Sequence, residues 1–263
     1  MFSKILGFFM VFAFVIGGCQ SPESLSNLES SSTLEGVLPK AFASTGTDFY
    51  DVRAYNTYAH RVSRKSAVRV QIDYSGMMIY GSGTYFKWKG SHMVVTAAHL
   101  FAFGGETVLK SEAIITSPGE RVFGRLVYVD KYTDIAIFAV PSLTSRTPAK
   151  FNRADSYEIG EPAIYSGFPG ANSLLTFDGT LSGDGYGTDI AMSSFAWPGS
   201  SGSGVFNSKG EFVGVVTSIM VGGGPAGRQL VGSVVYVAPA TLIDSAYLRD
   251  NLRKVKEGRY AGF

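Results

Sequence analysis

Cysteine and histidine are scarce in this 263-residue chain: there is one cysteine, Cys19, and three histidines, His60, His92 and His99. A single cysteine excludes an internal disulfide and any multi-cysteine zinc site. Three histidines with no local cluster offer no metal-ligand spacing, so neither a metal nor another cofactor is expected. Charge is also sparse, at 17% of residues, and Lys+Arg 23 against Asp+Glu 21 leaves a net +2. That is too little for an electrostatic nucleic-acid footprint, and no nucleic-acid partner is expected. What the chain does have is aromatic residues, at 13%, and 32 glycines without a G-x-y period. This composition excludes a disordered or collagen-like chain and points to a folded body rich in tight turns.

The N-terminus reads as an address. Lys4 precedes an apolar run from Ile5 to Gly18, too short to span a bilayer comfortably and suited to a secretory h-region. The run ends Ile16-Gly17-Gly18-Cys19, which resembles a bacterial lipobox: a branched apolar residue, two small ones, then the cysteine that is lipidated. Residues 1–18 are therefore expected to be a signal peptide and Cys19 a lipid-anchor site, holding an exported protein at the bacterial envelope. A cleaved signal with a chance cysteine, or an uncleaved anchor, are the alternatives. Gln20 stands where aspartate would signal inner-membrane retention, which leans toward the outer membrane. Residues 19–51 are serine-rich, with five acids against the single Lys40, and have the composition of a flexible polar tether.

From residue 52 a folded domain is expected to run to 263. Short runs rich in Val, Ile, Tyr, Phe and Thr recur at 67–74, 77–88, 92–98, 122–129, 134–140, 162–168, 174–183, 204–207, 211–220 and 232–238, separated by glycine and polar turns. No stretch before 239 shows sustained helical spacing, so the body reads as all-β. The exception is the tail. Pro239, Leu242, Ala246 and Leu252 suggest one C-terminal helix over about 239–257. The run Gly222 to Gly227, interrupted only by Pro225 and Ala226, lacks the Lys-Ser/Thr of a phosphate loop and reads as a hairpin tip.

Three segments carry chemistry. His99 ends an apolar run in VVTAAHLF, Asp134 opens YTDIAIFAV, and Ser201 lies among glycines in PGSSGSGVF. Singly, each has a bland reading: a structural histidine, a turn acid, a glycine turn. Together they supply what a serine needs to become a nucleophile, namely a base, a carboxylate to orient it, and a glycine-rich loop whose N–H groups can converge on an oxyanion. The order His–Asp–Ser separates this chain from α/β-hydrolases and from subtilisins, and the G-x-S-x-G elbow fails because Ser203 follows Gly202.

TAAH, DIAI and GSSGSG in that order resemble the chymotrypsin-fold serine proteases, specifically the HtrA/Deg-type branch. Gly81-Ser82-Gly83-Thr84, Gly167-Phe168-Pro169 and the strand from Glu211 to Thr217 are similar to segments of that branch. The resemblance covers roughly residues 75–240 and includes no PDZ domain. It implies two six-stranded antiparallel β-barrels and a serine endopeptidase acting on proteins or peptides through a covalent acyl-enzyme. It assigns Ser201 as nucleophile, His99 as base and then acid, and Asp134 as the residue that holds the ring. The N–H groups of Gly199 and Ser201 would form the oxyanion hole. Thr217 would hydrogen-bond near the triad carboxylate, Ser218 and Ile219 would bind substrate backbone, and Phe195 would floor a shallow apolar specificity pocket. Ser200 replaces the aspartate that in trypsin-like zymogens pairs with a new N-terminus, so activation by that ion pair is not expected. A catalytically silent binding module and a self-cleaving structural protein are the alternative readings.

Overall fold

The computed structural model describes residues 57–74, 76–101, 112–224 and 227–260. The expected signal peptide, Cys19 and the tether lie outside the described residues. The first described element is a helix that the apolar pattern does not announce, α1 (Tyr58–Ser66), capped by the Thr57 side chain, which accepts from His60 N. Its buried face is Ala59, Ser63 and Ser66, small residues without an apolar stripe. Polar side chains fix it to the second half of the body. Ser63 Oγ donates to Ser166 Oγ at 2.8 Å, His60 Nε2 lies 2.8 Å from Asp178 Oδ1, and Arg64 donates to Thr176 Oγ1 at 2.6 Å.

Six strands follow: β1 (Ala67–Tyr74), β2 (Met77–Trp88), β3 (Ser91–Ala97), β4 (Glu112–Ser117), β5 (Glu120–Asp130) and β6 (Ile135–Ala139). They pair antiparallel in the order β1-β4-β5-β6-β3-β2 and close through β1–β2, making the first barrel. Val68, Val70, Ile72, Tyr85, Val94, Leu126 and Phe138 fill it. A two-residue strand, β7 (Ala149–Lys150), joins β2 in parallel, a small departure from the all-antiparallel expectation.

The second barrel comprises β8 (Pro162–Gly167), β9 (Leu175–Asp184), β10 (Ile190–Ser193), β11 (Gly204–Asn207), β12 (Phe212–Gly224) and β13 (Gly227–Pro239), closed in the order β10-β13-β12-β11-β8-β9. Gly224 pairs with Gly227 across the β12–β13 turn, the hairpin tip read from the glycine run. The fold is thus the chymotrypsin-like double barrel.

The barrels meet across a third apolar cluster. Phe86, Met93 and Val95 from the first pack with Phe206, Phe212 and Val215 from the second, and the Phe86 and Phe212 rings sit 4.8 Å apart. Each fully buried phenylalanine contributes about 2–3 kcal/mol, against about 1 kcal/mol for a single neutral hydrogen bond. Apolar burial therefore sets the relative placement of the barrels, and the polar contacts at the seam refine it. The tail helix α2 (Ser245–Lys256) closes the same cluster with Leu248 and Leu252, and Asn251 Nδ2 donates to Val127 O at 2.9 Å. It begins later than 239 because Pro239 still belongs to β13. A single 3-10 turn, Ala240–Leu242, intervenes, and Asp244 in extended backbone caps Ala246 N and Tyr247 N.

Candidate active site

In the first barrel, β3 and β6 run side by side with Ala97 opposite Ile135, so the residues just beyond their paired ends are neighbours. β3 leads into a 3-10 turn, Ala98–Phe101, in which Ala98, Leu100 and Phe101 are buried and His99 faces outward. Asp134 immediately precedes β6 with a left-handed backbone, φ +57°. That conformation costs a non-glycine residue about 1 kcal/mol, and three bonds offset it. Asp134 Oδ2 lies 2.6 Å from His99 Nδ1, Oδ1 accepts from the His99 backbone N–H at 2.6 Å, and the Asp134 carbonyl accepts from Ala98 N at 2.9 Å. An ionised carboxylate only accepts, so Nδ1 carries the ring proton and Nε2 is left with its lone pair. The two side chains are 31% and 27% exposed, which leaves that lone pair within reach of a ligand.

The serine loop belongs to the second barrel, between β10 and β11. Its path depends on glycine at two positions. Gly199 has φ +101°, and a Cβ there would lie 2.7 Å from Phe168 O. Gly202 has φ +91°, and a Cβ would lie 2.0 Å from Ser82 O. Within the loop, Ser200 N donates to Trp197 O, Gly202 N to Val216 O, and Ser203 N to Ser200 O. Pro198 has no N–H. Among the described residues, the N–H groups of Gly199 and Ser201 have no acceptor. Two unengaged donors flanking one hydroxyl are the makings of an anion site.

The loop is held against the first barrel. Ser82 N donates to Ser201 O at 2.8 Å, and a Cβ on Gly81 would meet both Leu100, next to His99, and Ser201 O. The structure thus joins His99 to Asp134 directly and brings the Ser201 backbone to the same seam. Ser201 Oγ itself has no hydrogen-bond partner among the described residues. Ser200, 1% exposed, accepts from Trp197 N through its own hydroxyl, so a local turn occupies the place where an ion pair would stand in a trypsin-like zymogen.

The expected binding residues are placed less uniformly. Thr217 sits at a bulge, since Val216 pairs with Val237 and Ser218 with Tyr236. Its hydroxyl is 3.2 Å from Tyr236 O and 3.4 Å from Asp189 Oδ2. Ser218 is exposed, while Ile219 packs partly against the second-barrel core. Phe195 is 52% exposed. Its ring lies 5.6 Å from Phe177, and the buried Tyr165 hydroxyl donates to its carbonyl. Half-exposed Trp197 follows on the same segment.

Asp189 was not legible in sequence, where GDGYGTD reads as a turn and nothing local marks the acid. It carries no salt bridge among the described residues. Burial pushes its carboxyl up to about 6, the Asp134 charge adds to this, and Thr217 opposes it. Among the described residues no group of three or more His, Cys, Asp or Glu side chains converges as metal ligands would.

The trypsin-like peptidase domain family matches residues 81–215, just over half of the chain. Among solved structures, a serine endoprotease from Yersinia pestis is 20% identical, with 73% of this chain and 66% of that one covered, at a TM-score of 0.58. The HtrA-type protease AlgW with tripeptide is 18% identical, with 76% and 63% covered, at 0.58. The Rv3671c protease from M. tuberculosis, in its active form, is 17% identical, with 81% and 88% covered, at 0.55. The chain spans just under two thirds of the length of the first two. At these identities the structural likeness speaks to the fold.

The Asp189 carboxyl, at about 6 when folded against 3.8 when free, binds its proton more tightly in the folded protein. Stability therefore falls as pH rises from about 4 to about 6 and stays lower above that. Asp189→Asn is expected to raise stability at pH 7.5 by about 1–2 kcal/mol, allowing for partial solvent exposure, and to leave it unchanged near pH 4. Thermal melts of both proteins at the two pH values check this, and equal melting at pH 7.5 would contradict it.

Proposed function

We propose that this chain, which belongs to the trypsin-like peptidase family, is a serine endopeptidase in which Ser201 attacks the substrate carbonyl. His99 takes the Ser201 proton at Nε2, then delivers it to the leaving amine. Asp134 holds Nδ1–H and stabilises the imidazolium that forms between those events. The N–H groups of Gly199 and Ser201 receive the oxyanion of each tetrahedral intermediate, where one donor is worth about 3 kcal/mol in comparable hydrolases. A water activated by His99 then releases the acyl group. The observation that carries this reading is the grip of both Asp134 oxygens on His99, one on the ring and one on the backbone. It leaves the ring one tautomer and one orientation. An unengaged Ser201 hydroxyl is compatible with the role, because catalytic hydrogen bonds tighten when substrate seats.

The substrates in this reading are exposed or unfolded protein segments, laid in extended form along Ser218 and Ile219. Half-exposed Phe195 and Trp197 offer further apolar contact. Cys19 carries the lipid that tethers the enzyme to the bacterial envelope, with the outer membrane favoured by Gln20. The full-length protein in mild detergent is expected to react with a fluorophosphonate probe. Labelling should vanish in Ser201→Ala and persist in Ser203→Ala. A folded wild type that does not label would favour the binding-module reading instead. For the anchor, Cys19→Ala is expected to move the protein from the detergent phase to the aqueous phase on Triton X-114 partition. Unchanged partition of the variant would sink lipidation at that residue.

A further inference from the structure

We propose that Ser82, on the first barrel, is a positioning residue that keeps the oxyanion hole of the second barrel open. The inference rests on the reading of Gly199 and Ser201 given above. A trans peptide is planar, with its N–H and C=O pointing opposite ways, so fixing a carbonyl fixes the direction of the N–H in the same unit. The Pro198 carbonyl accepts from Gly170 N at 2.7 Å, which turns the Gly199 N–H the other way. The Ser200 carbonyl accepts from Ser203 N at 3.0 Å, which does the same for the Ser201 N–H. The unit between them, Gly199–Ser200, would undo both if it rotated. Its N–H donates to Trp197 O at 2.9 Å within the loop, and its carbonyl is held from the other barrel by Ser82 Oγ at 2.7 Å.

The Ser82 hydroxyl has no freedom to do otherwise. Ser82 is 0% exposed. Its Oγ accepts from Phe168 N at 2.9 Å, so its single proton goes to Gly199 O. Its own N–H holds Ser201 O at 2.8 Å, and its carbonyl accepts from Thr96 Oγ1 at 2.7 Å. One buried residue thus links the segment before Gly170, the Gly199 peptide and the Ser201 carbonyl. The neighbours leave it room by lacking side chains, since a Cβ on Gly167 would lie 2.8 Å from Ser82 Oγ. Without the hydroxyl, Gly199 O and Phe168 N lose their partners in a place water does not reach. The peptide then relaxes toward another acceptor or donor, and the Gly199 N–H swings out of the hole.

The test compares Ser82→Ala with Thr84→Ala in full-length protein. Thr84 is equally buried at the seam and accepts from Gly204 N at 2.8 Å, beyond the loop. Ser82→Ala is expected to lose about 10- to 100-fold in kcat on a peptide substrate, with KM within about twofold of wild type. Its affinity for a peptide boronic acid, whose tetrahedral adduct uses the hole, should fall by about the same factor. Thr84→Ala should lower the melting temperature and keep its kcat. Should Ser82→Ala fail to fold, the nearly isosteric Ser82→Cys, a weaker donor, decides by the same split. Ser82 variants with wild-type kcat and boronate affinity would overturn the proposal, as would an equal kcat loss in Thr84→Ala. The reading on which it rests fails separately, if Ser201→Ala keeps wild-type turnover.

Discussion

The site is divided between two barrels, and its geometry depends on the seam where they touch. The first barrel fixes His99 and Asp134 at the ends of paired strands. The second fixes the serine loop between two strands of its own. Nothing within either barrel sets the distance between these halves. Apolar burial around Phe86 and Phe212 brings the barrels together, but such burial is non-directional and tolerates small slips. The backbone contacts of β2 with the serine loop remove that tolerance. At Gly202 the approach is so close that any side chain would collide with Ser82 O and Thr96 Oγ1. The glycines of the loop therefore serve two purposes at once, allowing left-handed backbone and allowing contact.

Two acids, Asp134 and Asp189, stand close enough at the seam for the charge of one to act on the other. Asp134 accepts from the ring N–H and the backbone N–H of His99. Among the described residues the Asp189 carboxyl has only a long bond from Thr217, and it lies where burial and the Asp134 charge both oppose ionisation. Of these two carboxyl groups, Asp134 is the one bonded to the imidazole. Thr217, set at a bulge, directs its hydroxyl to Asp189.

Much of this was legible in the sequence because it is written in local pattern. The β1 and β2 runs end at 74 and begin again at 77, and the structure places both strands over the same residues. The meeting of His99 with Asp134 was legible for a similar reason, since TAAH and DIAI sit at strand ends that the apolar runs mark. What escaped depends on tertiary contact. Helix α1 buries Ala59, Ser63 and Ser66, so no apolar stripe announces it. β10 has four residues, and β4 sits between a glycine pair and a turn with little alternation to mark it. Asp189 looks like any turn acid until the second barrel closes.

The central claim is that Ser201 and His99 act as one unit although different barrels supply them. A double-mutant cycle on turnover tests it most directly. If the claim holds, Ser201→Ala and His99→Ala each lose about 10⁴-fold or more in kcat, and the double variant is no worse than the poorer single one. If the two losses multiply in the double variant, the residues contribute independently, and the site described here is not the machinery that cuts the peptide.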